Sequence, residues 1–208
     1  MNDRNLELDI LRELFNISVG KASSLLSEII DRKIILNVPD VKIINVENKE
    51  FNIQECLHEK SDSLFMISSI SFEYELKGKA SLIFSAEKMR TFIDLCISNY
   101  ETEDYFEISF SDIDFDVIKE IGNIILNSVV GEVGNLLEIK LTYTLPEVKF
   151  YNGDEFFEDA DYSSVLILNI TFLIENTKIE GAIFVHLSID SLSDLMKKIN
   201  EIKDELNE

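Results

Sequence analysis

The chain contains only two prolines, Pro39 and Pro146, and the same polar residues precede both at the same distances. Asp9, Glu13, Asn16 and Pro39 spell D-x3-E-x2-N-x22-P. Asp116, Glu120, Asn123 and Pro146 spell it again, 107 positions later (116 − 9 and 146 − 39). Four matched residue types at identical spacing, without a gap, mark an internal duplication. A chain of this kind must build two similar halves and cover the apolar surface that each leaves open.

The spacing has a geometric meaning. Each helical residue advances about 100°, so with Asp9 at zero Glu13 falls at about 40° and Asn16 at about −20°. The three share one narrow stripe, and Ile10, Leu11, Leu14, Phe15, Ala22, Leu25 and Ile29 are expected on the opposite arc. In the second copy Asp116, Glu120 and Asn123 share a stripe, while Val117, Ile118, Ile121, Ile125 and Val129 point away. A polar stripe is ordinarily the solvated side of a surface helix. A solvated side does not call for Asn, a poorer helix former than Glu, Lys or Gln, and still less for the same Asn twice. Gly122 occupies the place that Phe15 holds in the first copy, which predicts close approach of the two long helices there.

Composition narrows the function classes. The formal charge of −21 opposes sequence-independent nucleic-acid binding and adhesion to anionic membranes. It favours a partner with basic groups around its site. Cys56 and Cys96 are isolated, and His58 and His186 sit in no ligand motif, so zinc and Ser-His-Asp chemistry have little support. The N-terminus is no signal peptide and no apolar run approaches a membrane span, which points to a soluble, cytoplasmic protein.

Along the chain, residues 6–30 read as a helix, 33–46 as a strand broken at Pro39, 63–71 and 72–84 as strands, and 85–98 as a helix with Ser85 a candidate N-cap. A helix over 114–137 then opens a second series. Strands follow at 139–145, 147–151, 164–174 and 178–187, with a helix after Ser188. Gly78 to Ser85 matches Gly181 to Ser188 at a displacement of 103. The acidic stretch 99–111 reads as a connector, and 152–161 as a surface loop. The expected fold is α+β, a single domain over 1–208 made of two repeats, 1–100 and 112–208. It is a duplicated pseudo-two-fold unit with two long amphipathic helices packed on a largely antiparallel sheet and further short helices.

With both motifs in place, the sequence resembles the CheC-like phosphatases of bacterial chemotaxis, the family that includes CheX and the N-terminal part of FliY. Glu120-Ile-Gly-Asn123-Ile has the family's typical form, and Glu13-Leu-Phe-Asn16-Ile departs from it by Phe15. The resemblance implies a two-site, CheC-type enzyme that hydrolyses the aspartyl phosphate of the response regulator CheY. It implies Asn16 and Asn123 as the residues that hold the attacking water, and Glu13 and Glu120 as carboxylates that pair with a partner lysine. Asp9 and Asp116 would orient helix or partner, and Pro39 and Pro146 would shape the loop beside the helix. No metal or cofactor of its own is expected, Mg²⁺ being held by the phosphorylated partner. The CheD deamidase is implied as a second partner. A flagellar switch role like that of FliY is disfavoured, because no further domain follows the repeat. Two rivals stand beside the enzyme: a catalytically weak adaptor of the same fold that binds CheD or a phosphorylated receiver, and a structural protein with solvated helices.

Overall fold

The computed structural model describes residues 3–45, 57, 63–96, 110–152, 164–174 and 176–206. Cys56, His58, most of the connector and most of the 152–161 loop lie outside them.

Helix α1 (Asp3–Ile30) leads into the Ile- and Val-rich strand β1 (Ile34–Asn45). A hairpin follows, β2 (Leu64–Tyr74) and β3 (Gly78–Ser85), then α2 (Ala86–Cys96). Helix α3 (Asp112–Leu136) opens the second series, with β4 (Leu141–Tyr143), β5 (Glu147–Asn152), the hairpin β6 (Ser164–Ile174) and β7 (Thr177–Leu187), and α4 (Ile189–Leu206). Among the described residues no helix is long and apolar enough to cross a membrane.

Among the described residues seven strands form one antiparallel sheet in the order β1-β6-β7-β3-β2-β4, with β5 also on β2. Exchanging β1 with β4 and β5, β6 with β2, and β7 with β3 returns the same order read backwards. The registers obey the same exchange. Leu36 pairs Phe172 where Tyr143 pairs Phe72, and Asp40 pairs Asn169 where Glu147 pairs Ser69. Each outer strand of one copy therefore hydrogen-bonds a hairpin of the other.

The helices cover one face. Leu11, Phe15, Val19, Ala22 and Leu26 of α1, Phe92 of α2, Ile118, Ile125 and Val129 of α3 and Ile199 of α4 share a core with Met66, Phe84 and Phe172 of the sheet. The opposite face carries a smaller cluster, Phe65, Ile67, Ile83, Val165, Ile167 and Phe184, with Leu57.

Several expectations are corrected. Leu25 and Ile29 lie exposed, because the core side of this end of α1 is taken by Ala22, Leu26 and Ile30. The break between the first two hairpin strands falls at 75–77 rather than at 71, next to Tyr74, whose φ of 118° is a strained value for a tyrosine. Ser85 is no cap: its buried hydroxyl has no hydrogen-bond partner. Helix α3 starts two residues earlier than read, under a capping box in which the Ser111 hydroxyl accepts from Asp114 N and Asp114 returns to Ser111 N at 2.8 Å. The hairpin registers relate β3 to β7 by 101 positions, not 103 (Phe72 to Gly78 beside Phe172 to Ile179). Gly78 and Gly181 are thus not counterparts. Gly122 serves a helix-to-sheet approach rather than a helix-to-helix one: a methyl group there would collide with the Ser68 hydroxyl of β2.

Candidate functional site

Both motif helices present their acids outward. Glu13 and Glu120 are exposed. Asp9 pairs with Arg12 on its own helix at 3.0 Å, and Asp116 lies 3.9 Å from Lys119. The two amides, seven and three residues on from these acids in the same stripes, behave differently from one another.

Asn16 is turned onto β1. Its Nδ2 donates to Val38 O and to Arg12 O, each at 3.0 Å, and its Oδ1 accepts from Val38 N at 2.9 Å. The reason lies in the strand. Between Asn37 and Asp40 the register with β6 shifts, leaving Val38 and Pro39 without a cross-strand partner. Val38 is fully buried, and its unpaired N–H and C=O would be costly there. The Asn16 side chain supplies the missing partner, one amide closing both bonds. Two serines fasten the same helix to the start of the strand: Ser23 Oγ donates to Ile34 O at 2.6 Å, and Ile34 N donates to Ser27 Oγ at 3.0 Å.

In the second copy the counterparts of Ser23 and Ser27 are Val130 and Gly134, which cannot make these bonds. The counterpart of Val38 is Leu145, 86% exposed in the gap between β4 and β5 beside Pro146. Asn123 is joined to neither. Its Oδ1 accepts from Asn127 Nδ2 at 2.5 Å, one turn on along α3, and among the described residues its Nδ2 meets no acceptor. Here β4 meets α3 through side chains, Tyr143 over Gly131 and Leu141 over Gly134. A groove of about 600 Å³ opens between them, lined by Gly131, Asn135, Leu141, Thr142 and Tyr143 with Tyr74 at its edge. Tyr143 is 40% exposed where its counterpart Leu36 is 6% exposed. Burial against this wall raises the Tyr143 phenol above its ordinary pKa.

The structure therefore joins Asn16 to the residue before Pro39, and it leaves Asn123 apart from Pro146. Asn127 was missed in the sequence. The signal was available, since its counterpart at the 107-residue displacement is Gly20, which has no side chain to offer.

A family model described as "CheC-like family" matches residues 6–43, which contain the whole first motif. The chain is 27% identical over 146 residues to the CheY-P phosphatase CheC of Bacillus subtilis (strain 168). That match takes in 68% of this chain and 65% of the relative, so less than two thirds of the relative's length is spanned. In sequence the chain is similar to CheC-like proteins, most directly over its first helix and strand. Its fold agrees with other solved structures. FliY of Thermotoga maritima superposes with a TM-score of 0.72 at 19% identity, covering 97% of this chain and 98% of that one. A chain of the FliG-FliM complex from H. pylori gives 0.63 at 14% identity, covering 95% and 100%. The repeated D-x3-E-x2-N pattern thus sits on one helix of each half, with its glutamates in solvent and its two asparagines in different hydrogen-bonded states.

Proposed function

We propose that this CheC-like chain is a phosphatase of response regulators, hydrolysing the aspartyl phosphate of a CheY-type receiver domain. The observation that carries the reading is the pairing, on a solvent-facing stripe of α3, of an exposed Glu120 with an Asn123 whose Nδ2 has no acceptor among the described residues. Similarity to the Bacillus subtilis CheC supports it.

The chemistry asks little covalent work of the protein. Water attacks phosphorus in line, and the P–O bond to the receiver aspartate breaks with its electron pair. The products are a carboxylate and inorganic phosphate, the water proton passing to phosphate or solvent. Positioning and a neutral environment supply the rate. A side-chain amide can accept from the water and donate towards it or a phosphoryl oxygen without adding negative charge. Glu120 can pair with a lysine of the receiver and set the docking register, as can Glu13 on the first helix. Mg²⁺ belongs in this scheme to the phosphorylated partner, and CheD is proposed as a second partner. The charge of −21 favours a receiver whose site is rimmed by basic groups.

The adaptor reading keeps one specific support: the same fold occurs in a protein–protein complex, FliG-FliM. Decay of a phosphorylated CheY-type receiver separates the two. Acceleration by wild type that disappears in the Asn16→Ala/Asn123→Ala double variant supports the phosphatase, and the single variants rank the sites. Binding to the phosphorylated receiver with unchanged decay makes the protein an adaptor.

A further inference from the structure

We infer that Asn127 is a positioning residue which holds Asn123 in its working orientation, and that the second copy, not the first, carries the turnover. The inference rests on the phosphatase reading.

Asn16 has no hydrogen left to give. Both of its Nδ2 hydrogens go to backbone carbonyls, and one lone pair of Oδ1 goes to Val38 N. Releasing it for a water or a phosphoryl oxygen would strip the buried Val38 of the side-chain amide that stands in for its missing strand partner. The second copy has removed each cause of this capture. Leu145 stands in solvent, where water can satisfy its backbone. Asn127 reaches one turn back and takes Asn123 Oδ1 at 2.5 Å, which fixes the plane of the amide. That bond uses one acceptor lone pair and neither donor hydrogen, so a second lone pair and both N–H groups remain for water and phosphoryl oxygen. At the same place on α1 stands Gly20, so Asn16 has no neighbour to draw it from the strand.

The substitution that moves this device to the first copy is sterically free, since a Cβ at Gly20 would meet nothing within 4 Å. The experiment compares wild type, Asn127→Ala, Gly20→Asn and Asn123→Ala in single-turnover decay of a phosphorylated CheY-type receiver. Exchange of the side-chain NH₂ groups of Asn16 and Asn123 is followed in parallel by NMR. Asn127→Ala is expected to lower kcat about 10- to 100-fold, the usual cost of a misplaced positioning group, with KM within twofold because Glu120 still docks the receiver. Gly20→Asn is expected to raise the rate that survives in the Asn123→Ala background. In wild type the Asn16 NH₂ should exchange at least tenfold more slowly than that of Asn123.

A kcat within twofold of wild type for Asn127→Ala overturns the positioning role. Should that variant fold poorly, a Gly20→Asn/Asn123→Ala chain no faster than Asn123→Ala overturns the proposal by itself. If wild type accelerates nothing, the phosphatase reading falls and takes the turnover assignment with it. The exchange rates then judge the geometry alone, and equal rates at the two amides sink that as well.

Discussion

The two copies of the helix–strand unit share their spacing and their sheet register, yet they are held together by different means. In the first, Asn16, Ser23 and Ser27 tie α1 to the backbone of β1, and Lys21 reaches Glu132 of α3 at 2.5 Å. In the second, Val130 and Gly134 replace the serines, Asn123 turns to Asn127, and β4 and β5 are parted by an exposed Leu145. The comparison teaches that one motif residue can be tied into the backbone of a strand or left clear of it. Its neighbours at the helix surface decide which.

The largest test of that contrast sits at one register position. Phe15 is buried in the common core, and its truncation in Phe15→Ala should cost about 3–5 kcal/mol in chemical denaturation. Gly122→Ala, which sets a methyl against Ser68, should cost about 1–3 kcal/mol by overpacking. A Gly122→Ala variant as stable as wild type would mean that α3 yields from the sheet more readily than α1.

The next test is a matter of pH. By strand register His186 of β7 replaces Ser85 of β3. Burial first, and then the charge of Lys79, press its pKa down to about 4. The folded value lies below the unfolded one of about 6.5, so the associated stability is complete above pH 6.5 and is lost as pH falls towards 4. The loss is on the order of 3 kcal/mol. His186→Gln should flatten the denaturation midpoint between pH 6.5 and 4, and an unchanged slope would place the pH sensitivity elsewhere.

Smaller, and aimed at the amides themselves, is the pair Asn16→Ala and Asn123→Ala. The first leaves the buried Val38 backbone unpaired and should lower stability by about 2 kcal/mol. The second removes a half-buried bond to Asn127 and should stay within about 0.5 kcal/mol, so equal losses would erase the distinction. Least of all, Lys21→Ala should cost less than about 1 kcal/mol, because the lysine end of its ion pair is largely in solvent. Thermal melts at low and high salt would show the difference vanishing as salt rises.

Much of the architecture was legible because repetition and period are properties of the sequence itself. The 107-residue displacement locates two long helices, and the apolar, β-branched runs in 164–174 and 178–187 locate a pair of strands. What escaped depends on contacts between distant segments. A helical wheel puts Leu25 and Ile29 on the apolar arc, but only the position of the sheet decides that Ala22, Leu26 and Ile30 are the residues turned to the core at that end. Matching glycines suggested the wrong hairpin register, since Gly78 makes room for Phe72 and His186 O, whereas Gly181 makes room for Phe84 and Ile83 O. At the candidate site the motif named both asparagines, yet no spacing rule says that Val38 would lack a strand partner and claim Asn16. The exchange of Gly20 for Asn127 was visible in the alignment of the copies and gained meaning only beside Asn123.

The crossed pairing of the outer strands also bears on how the chain is made. Ile34 finds its partner in Ile174, 140 residues further on (174 − 34). At a synthesis rate of about 5–20 residues per second, β1 must wait on the order of ten seconds before β6 exists. Through that interval its hydrogen-bonding edge is open to other nascent chains. The ties from Asn16, Ser23 and Ser27 are local and can form at once, so they would act first as a sheath for an orphan strand and only later as part of a finished protein.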